Sequence, residues 1–197
     1  MGDGMIESKS REEKLQRIIE SEKTLNEIKD VDVLLERILT EARDIVHADA
    51  GSIYIIEENN LKIRYAQNDT QQRRLAPGQK LPFQSFSFPI NEKSMCGYCV
   101  LTQEMINEPD VYAISPEKKY SFNKSSDLVT GYRSKSIIAI PLVTVNGTIL
   151  GVLQIINPQD KSGNIIPFDS DAVLYLKHFA TSATQALERT YLTREMV

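Results

Sequence analysis

Ser136-Ile-Ile-Ala-Ile-Pro-Leu-Val-Thr-Val145, then Asn146-Gly147, then Thr148-Ile-Leu-Gly-Val-Leu-Gln-Ile-Ile156 decides the fold. Two apolar runs joined by Asn-Gly read as a buried antiparallel hairpin. The dipeptide fits a type I′ turn, whose two central residues both take φ > 0. The polar segment in front of the hairpin is rich in groups that can meet a small ligand: Asn123, Asp127, Thr130, Gly131, Tyr132 and Ser136.

Working outward, residues 109–126 form a long connection with at most short helical turns, and long connections in compact domains tend to be functional. Ser94 can cap a short helix running to Leu101. Residues 84–88 alternate, with Phe86 and Phe88 on one side, as a strand does. Residues 68–81, with Pro77-Gly78, read as a loop that exposes Arg73 and Arg74. Gly51–Ile56 and Leu61–Ala66 are strands of a second hairpin about Glu57-Glu-Asn-Asn60. Asp30 caps a helix over 31–46 whose Leu34, Leu35, Ile38, Leu39, Ala42 and Ile45 make a wide apolar stripe.

Before it, residues 5–29 carry Leu15, Ile18, Ile19, Leu25 and Ile28 at helical spacing. The sevenfold steps from Ile18 to Leu25 and from Ile28 to Leu35 allow either a seam between copies or a helix packed on its own domain. After the hairpin, a turn-rich loop over 157–163 leads to a last helix capped by Asp169 or Ser170. Its Val173, Leu176, Ala180, Ala183 and Leu187 repeat at 3-4-3-4 spacing. With Ile18, Leu25 and Ile28 this stripe predicts a homodimer through the terminal helices.

The order Pro109-Asp-Val-Tyr112, Phe122-Asn123, Asp127, Thr130-Gly-Tyr-Arg133, Ser136 and Gly151-Val-Leu-Gln154 leading to Asn157 resembles the GAF domain family. These are the small-molecule sensor modules of phosphodiesterases, adenylyl cyclases and bacterial signalling proteins. The spacing looks like the phosphodiesterase-type branch, and the resemblance covers roughly residues 30–189. It implies an α+β fold: a central antiparallel sheet of about six strands, with the N- and C-terminal helices packed on one face and ligand loops on the other. It implies three segments: a signalling and dimerisation helix at 1–29, the domain at 30–190, and the end of a linker helix at 191–197. The implied function is regulatory and non-catalytic, sensing a small molecule such as cyclic AMP or cyclic GMP. The alternatives are a ligand-free dimerisation and relay module, or a thiol enzyme. The ligand-facing positions are Ser94, Gly97, Asp110, Tyr112, Phe122, Asn123, Asp127, Thr130, Tyr132 and Ser136, with Tyr112, Phe122 and Tyr132 as stacking faces. Backbone amides and short-helix N-termini suit an anionic group there without any cluster of basic side chains.

In relatives of that branch an Asn-Lys…Phe…Asp-Glu signature closes the domain. Asn157 and Phe168 match it, but Pro158, Ala172 and Val173 stand at the other positions. Both members of a Lys-Asp pair are thus missing together, which leaves no buried charge alone. Lys161 with Asp169 or Asp171 is the candidate replacement.

Composition narrows the classes. The chain has 197 residues, 41% hydrophobic and 25% charged, which fits one ordinary domain with extra helix. No apolar run approaches a membrane span, and the N-terminal residues lack the features of a secretory signal, so a cytoplasmic setting is expected. A net charge of −4 without a basic cluster argues against nucleic acid as a partner. Two Cys and two His are too few for a typical structural zinc site. Cys96-Gly-Tyr-Cys99 reads either as a redox pair at a helix start or as two small core residues; the core reading is preferred. His47 reads as a helix-end contact and His178 as a helix-face residue. Asp110 is expected to accept hydrogen bonds and Asp127 to form a turn.

Overall fold

The computed structural model describes residues 2–82 and 85–195, with the backbone alone for 2–10 and 195. Twelve elements follow in order: α1 (Gly2–Glu27), α2 (Val31–Ile45), β1 (Ala48–Glu57), β2 (Asn60–Asn68), α3 (Asp69–Arg73), β3 (Ser87–Pro89), α4 (Met95–Thr102), β4 (Ile106–Glu108), α5 (Ser125–Thr130), β5 (Ile137–Val143), β6 (Ile149–Pro158) and α6 (Ser170–Glu195). The strands form one antiparallel sheet in the order β3-β2-β1-β6-β5-β4. The expected α+β architecture of six strands with terminal helices on one face is what the chain adopts.

Local chemistry sets the boundaries. The Asp30 carboxylate accepts from the Val33 N–H at 2.9 Å and starts α2, a cap that contributes about 1 kcal/mol. His47 takes φ 51° just past the end of α2, and its carbonyl accepts from Gln159 N–H at 3.0 Å. Asp169 caps α6 by accepting from Ala172 N–H at 2.7 Å.

The sheet separates two cores. On the helix side, Leu34, Leu35, Ile38 and Leu39 of α2 meet Leu153 of β6 and Phe179 of α6, all fully buried. On the other side, Tyr54, Leu61, Met95, Cys99, Ile137 and Val152 form a second cluster beneath α4 and the 109–126 connection.

Four expectations need correction. The seam residues are consumed inside one chain: Ile18, Leu25, Leu176, Ala180, Ala183 and Leu187 all lie in the helix-side core. α1 and α6 run parallel, joined by the Arg11–Asp171 ion pair and by Ser182 donating to Glu22. Among the described residues, the large apolar side chains that remain exposed on these helices are Leu15, Ile19, Leu174 and Leu192. The reason is that α6 is long enough to cover both α2 and α1, so the 3-4-3-4 stripe has a partner within the chain.

The turn expected at Asn146-Gly147 forms at the other hairpin. Gly147 has φ +81°, whereas Asn146 is not among the residues with positive φ. Gly147 N–H donates to Thr144 O (2.9 Å) and Thr144 N–H to Thr148 O (2.8 Å). This is a three-residue loop closed by a left-handed glycine. The two-residue turn with positive φ at both centres lies instead at Glu58 (48°) and Asn59 (63°).

The 68–81 loop contains α3, started by Asn68 accepting from Gln71 N–H at 2.9 Å. The connection is preceded by the short edge strand β4, which has too few residues to show an alternation. Of the third expected strand, position 84 lies outside the described residues, and the strand that forms is β3 at Ser87–Pro89. Phe86 and Phe88 both lie against Tyr54, with ring centroids at 6.5 and 5.7 Å.

Candidate functional site

Two buried polar hubs hold the segment from residue 109 to the start of β5. The first is Asp127 on α5. Its carboxylate accepts from Tyr112 Oη (3.0 Å), Ser134 N–H (2.8 Å) and Ser134 Oγ (2.9 Å). Asp110, in contrast, forms a turn by accepting from Tyr112 N–H at 2.9 Å. The roles expected for these two carboxylates are therefore exchanged: Asp127, not Asp110, is the hydrogen-bond acceptor, and it is buried and committed to the protein's own groups.

The second hub is Asn157, at the end of β6. Its Oδ1 accepts from Lys135 N–H (2.8 Å) and Ser136 N–H (3.1 Å). Its Nδ2 donates to Tyr132 Oη (2.8 Å) and Arg133 O (2.8 Å). A primary amide offers two donors and two acceptor sites, and all are used. Asn157 reaches these partners from φ 56°, a left-handed conformation that asparagine tolerates better than most residues.

Tyr132 links this hub to Asp49 on β1, donating to Asp49 Oδ2 at 2.9 Å. Asp49 also accepts from Thr70 Oγ1 (2.9 Å) and Arg73 (3.3 Å) on α3. Burial, then the adjacent Asp49 carboxylate, pushes the Tyr132 phenol above its ordinary value, so it stays a neutral donor. Tyr132 is thus a buried tie rod and not a stacking face for a ligand.

The other predicted positions separate. Ser94 Oγ accepts from Gly97 N–H at 3.0 Å as the cap of α4. A Cβ on Gly97 would sit 2.2 Å from Asn91 O, so this glycine serves a close backbone approach. Asn123 caps locally, accepting from Ser125 N–H (3.0 Å) and Ser125 Oγ (2.6 Å). Thr130 is exposed and donates to Ser126 O at 2.8 Å. Ser136 is fully buried, and its Oγ is the one buried side-chain polar atom without a partner among the described residues. Tyr112 and Phe122 come together, half-buried, with ring centroids 5.6 Å apart.

Sequence reasoning missed Asp49 and the pair Lys124 and Arg133. Arg133 lies 3.4 Å and Lys124 4.7 Å from the centroid of the Tyr112 ring. The signal for Asp49 was present: an acid inside the apolar run Ala48–Ile56 must find partners when buried. The proposed replacement pair does not form. Asp171 pairs with Arg11 and Asp169 caps α6.

Cys96 and Cys99 are both buried in the second core. Burial pushes the Cys96 thiol up to about 12 and raises Cys99 as well. Such thiols are protonated at neutral pH, as the core reading requires and a redox pair does not. A cavity of about 450 Å³ lies at the β4 edge, lined by Tyr98, Met105, Asn107, Lys118 and Tyr120 among others. None of the predicted ligand positions lines it. Among the described residues no helix is long and apolar enough to cross a membrane.

The chain is 29% identical over 156 residues to the cGMP-specific 3',5'-cyclic phosphodiesterases of Drosophila pseudoobscura pseudoobscura and Drosophila melanogaster. The match takes in 77% of this chain but 13% of each relative, so the chain corresponds to a small part of their length. Among solved structures, the GAF domain of a phosphoenolpyruvate-protein phosphotransferase from Coxiella burnetii superposes with a TM-score of 0.68 at 14% identity, covering 94% of this chain and 98% of that one. Free methionine-R-sulfoxide reductase from Neisseria meningitidis gives 0.66 at 18% identity, covering 93% and 92%. At these identities the likeness is one of fold. The GAF domain profile matches residues 30–187, four-fifths of the sequence, and the chain belongs to the GAF domain family, whose members are regulatory sensing modules.

Proposed function

We propose that the chain is the ligand-sensing region of a larger signalling protein, and that its ligand is a cyclic nucleotide, cyclic GMP ahead of cyclic AMP. The observation that carries the reading is its likeness to proteins named as cGMP-specific phosphodiesterases. The ligand would enter between the loop-side face of the sheet and residues 109–132, next to Tyr112 and Phe122. Catalysis, where the full protein has it, would belong to another region. Residues 1–29 would act as a signalling helix, 30–190 as the sensor and 191–197 as the end of a linker helix. A homodimer would use the exposed Leu15, Ile19 and Leu174, because the stripe first assigned to that seam is already buried.

One observation favours the ligand-free relay instead. Side chains of Tyr54, Phe88, Tyr112, Tyr120 and Phe122 already fill the layer between the sheet and the connection. A nucleotide would have to displace part of that layer. Calorimetry with cyclic GMP and cyclic AMP decides between the two. Heat with cyclic GMP, reduced by Phe122→Ala, supports the sensor; no heat with either nucleotide supports the relay.

A further inference from the structure

Around α5 two cations lie on one aromatic ring. Arg11, Arg17, Arg37, Arg43, Arg64 and Arg73 each reach a carboxylate, and Arg74 and Arg189 reach backbone carbonyls. Among the described residues Arg133 does neither: its guanidinium lies on the Tyr112 ring, and the Lys124 ammonium approaches the same ring. The two carboxylates that hydrogen-bond Tyr112 are already engaged. Asp127 is buried and takes three donors, one of them the Tyr112 hydroxyl itself. Asp110 takes the Tyr112 N–H. Two like charges held on one ring repel each other, although the ring face attracts each of them. An anion bound beside both would offset that repulsion and gain charge-assisted hydrogen bonds.

We infer that Lys124 and Arg133, converging on Tyr112, form an anion-holding corner of the ligand site that accepts the phosphate of a small phosphorylated ligand. The inference rests on the sensor reading for its place beside the ligand layer, but the anion chemistry stands on these three residues. It revises the expectation that any phosphate is held by backbone amides alone. The cations come from opposite ends of α5, at positions 124 and 133, so no basic cluster shows in the sequence. The phosphate would lie at the rim, with the rest of the ligand directed towards Phe122, whose ring is 5.6 Å from that of Tyr112.

The test separates the corner from the cyclic nucleotide. The intact chain is titrated with pyrophosphate while backbone amide resonances are followed by NMR. The amides of Tyr112, Lys124 and Arg133 should shift saturably, and the double variant Lys124→Gln/Arg133→Gln should bind about tenfold or more weakly. Both side chains are exposed, so the variant should melt like the parent. Absence of saturable shifts at these three amides would overturn the corner whatever the nucleotides do. Cyclic GMP binding equally to parent and double variant would also overturn it, while leaving the cyclic-nucleotide reading intact. Pyrophosphate binding at the corner with no response to cyclic GMP would support the corner and remove that nucleotide.

Discussion

The two faces of the sheet are built on different principles. On the helix side, α1, α2 and α6 bring a nearly all-apolar cluster around Leu153 and Phe179. Its contacts are non-directional, and its stability scales with buried area. On the loop side, a smaller cluster rich in tyrosine and cysteine is roofed by a segment held through directed hydrogen bonds to Asp127, Asn157 and Asp49. One face carries the stability of the fold. The other carries a roof whose position depends on a few polar hubs.

The contrast can be broken most severely on the helix side. Phe179→Ala removes a fully buried ring and should cost about 3–5 kcal/mol, read by urea denaturation. A loss below 1 kcal/mol would mean that this face does not dominate the stability. On the loop side, Asn157→Ala removes four hydrogen bonds and strands the Lys135 and Ser136 amides. We expect about 3 kcal/mol, with amide hydrogen exchange accelerating over 130–136 before the helix side responds. Uniform acceleration across both faces would show that the roof is not an independent unit.

The thiols give a pH test of the second core. The Cys96 thiol is raised from its ordinary 9.0 to about 12 by burial. The unfolded chain therefore loses that proton first, and stability falls as pH rises from about 9 towards 12. The slope should approach about 1.4 kcal/mol per pH unit for each such thiol. Below pH 8 there should be no contribution, and native thiols should resist a disulfide reagent until denaturant is added. Rapid labelling of the native protein would contradict the burial and revive a redox reading.

The smallest expected effect sharpens the hairpin. Gly147→Ala, at φ +81°, should cost about 1 kcal/mol, whereas Asn146→Ala should change melting by a few tenths. Equal costs at the two positions would restore the type I′ turn.

Much of this was legible in the sequence because its physics is local. The stripe of α2, the Asp30 cap, the apolar runs of β5 and β6 and the spacing of Pro109, Asp127, Thr130 and Asn157 were enough to assign the fold and the family resemblance. The candidate site was less legible. Tyr112 and Phe122 were read as stacking faces for a ligand, and the structure places their rings 5.6 Å apart. Tyr132, Asp127 and Gly97 were named as ligand contacts, yet they serve the roof's own hydrogen bonding and packing. A tyrosine offers the same hydroxyl to a ligand as to a buried Asp49, and only spatial proximity chooses between them.

What the sequence determined by itself is therefore what depends on periodicity and near neighbours: the longer helices, most of the strands, their caps and the two-sided sheet. Tertiary structure alone decided whether the stripe on α6 met another copy or α1 and α2 of its own chain, because both offer the same apolar surface. It decided which glycine and which asparagine took positive φ, since turn type follows the register of both strands. It also brought Asp49 to Tyr132, and Lys124 with Arg133 to Tyr112. Charges and hydroxyls act across space, and positions 49 and 132 become neighbours only when the sheet has closed.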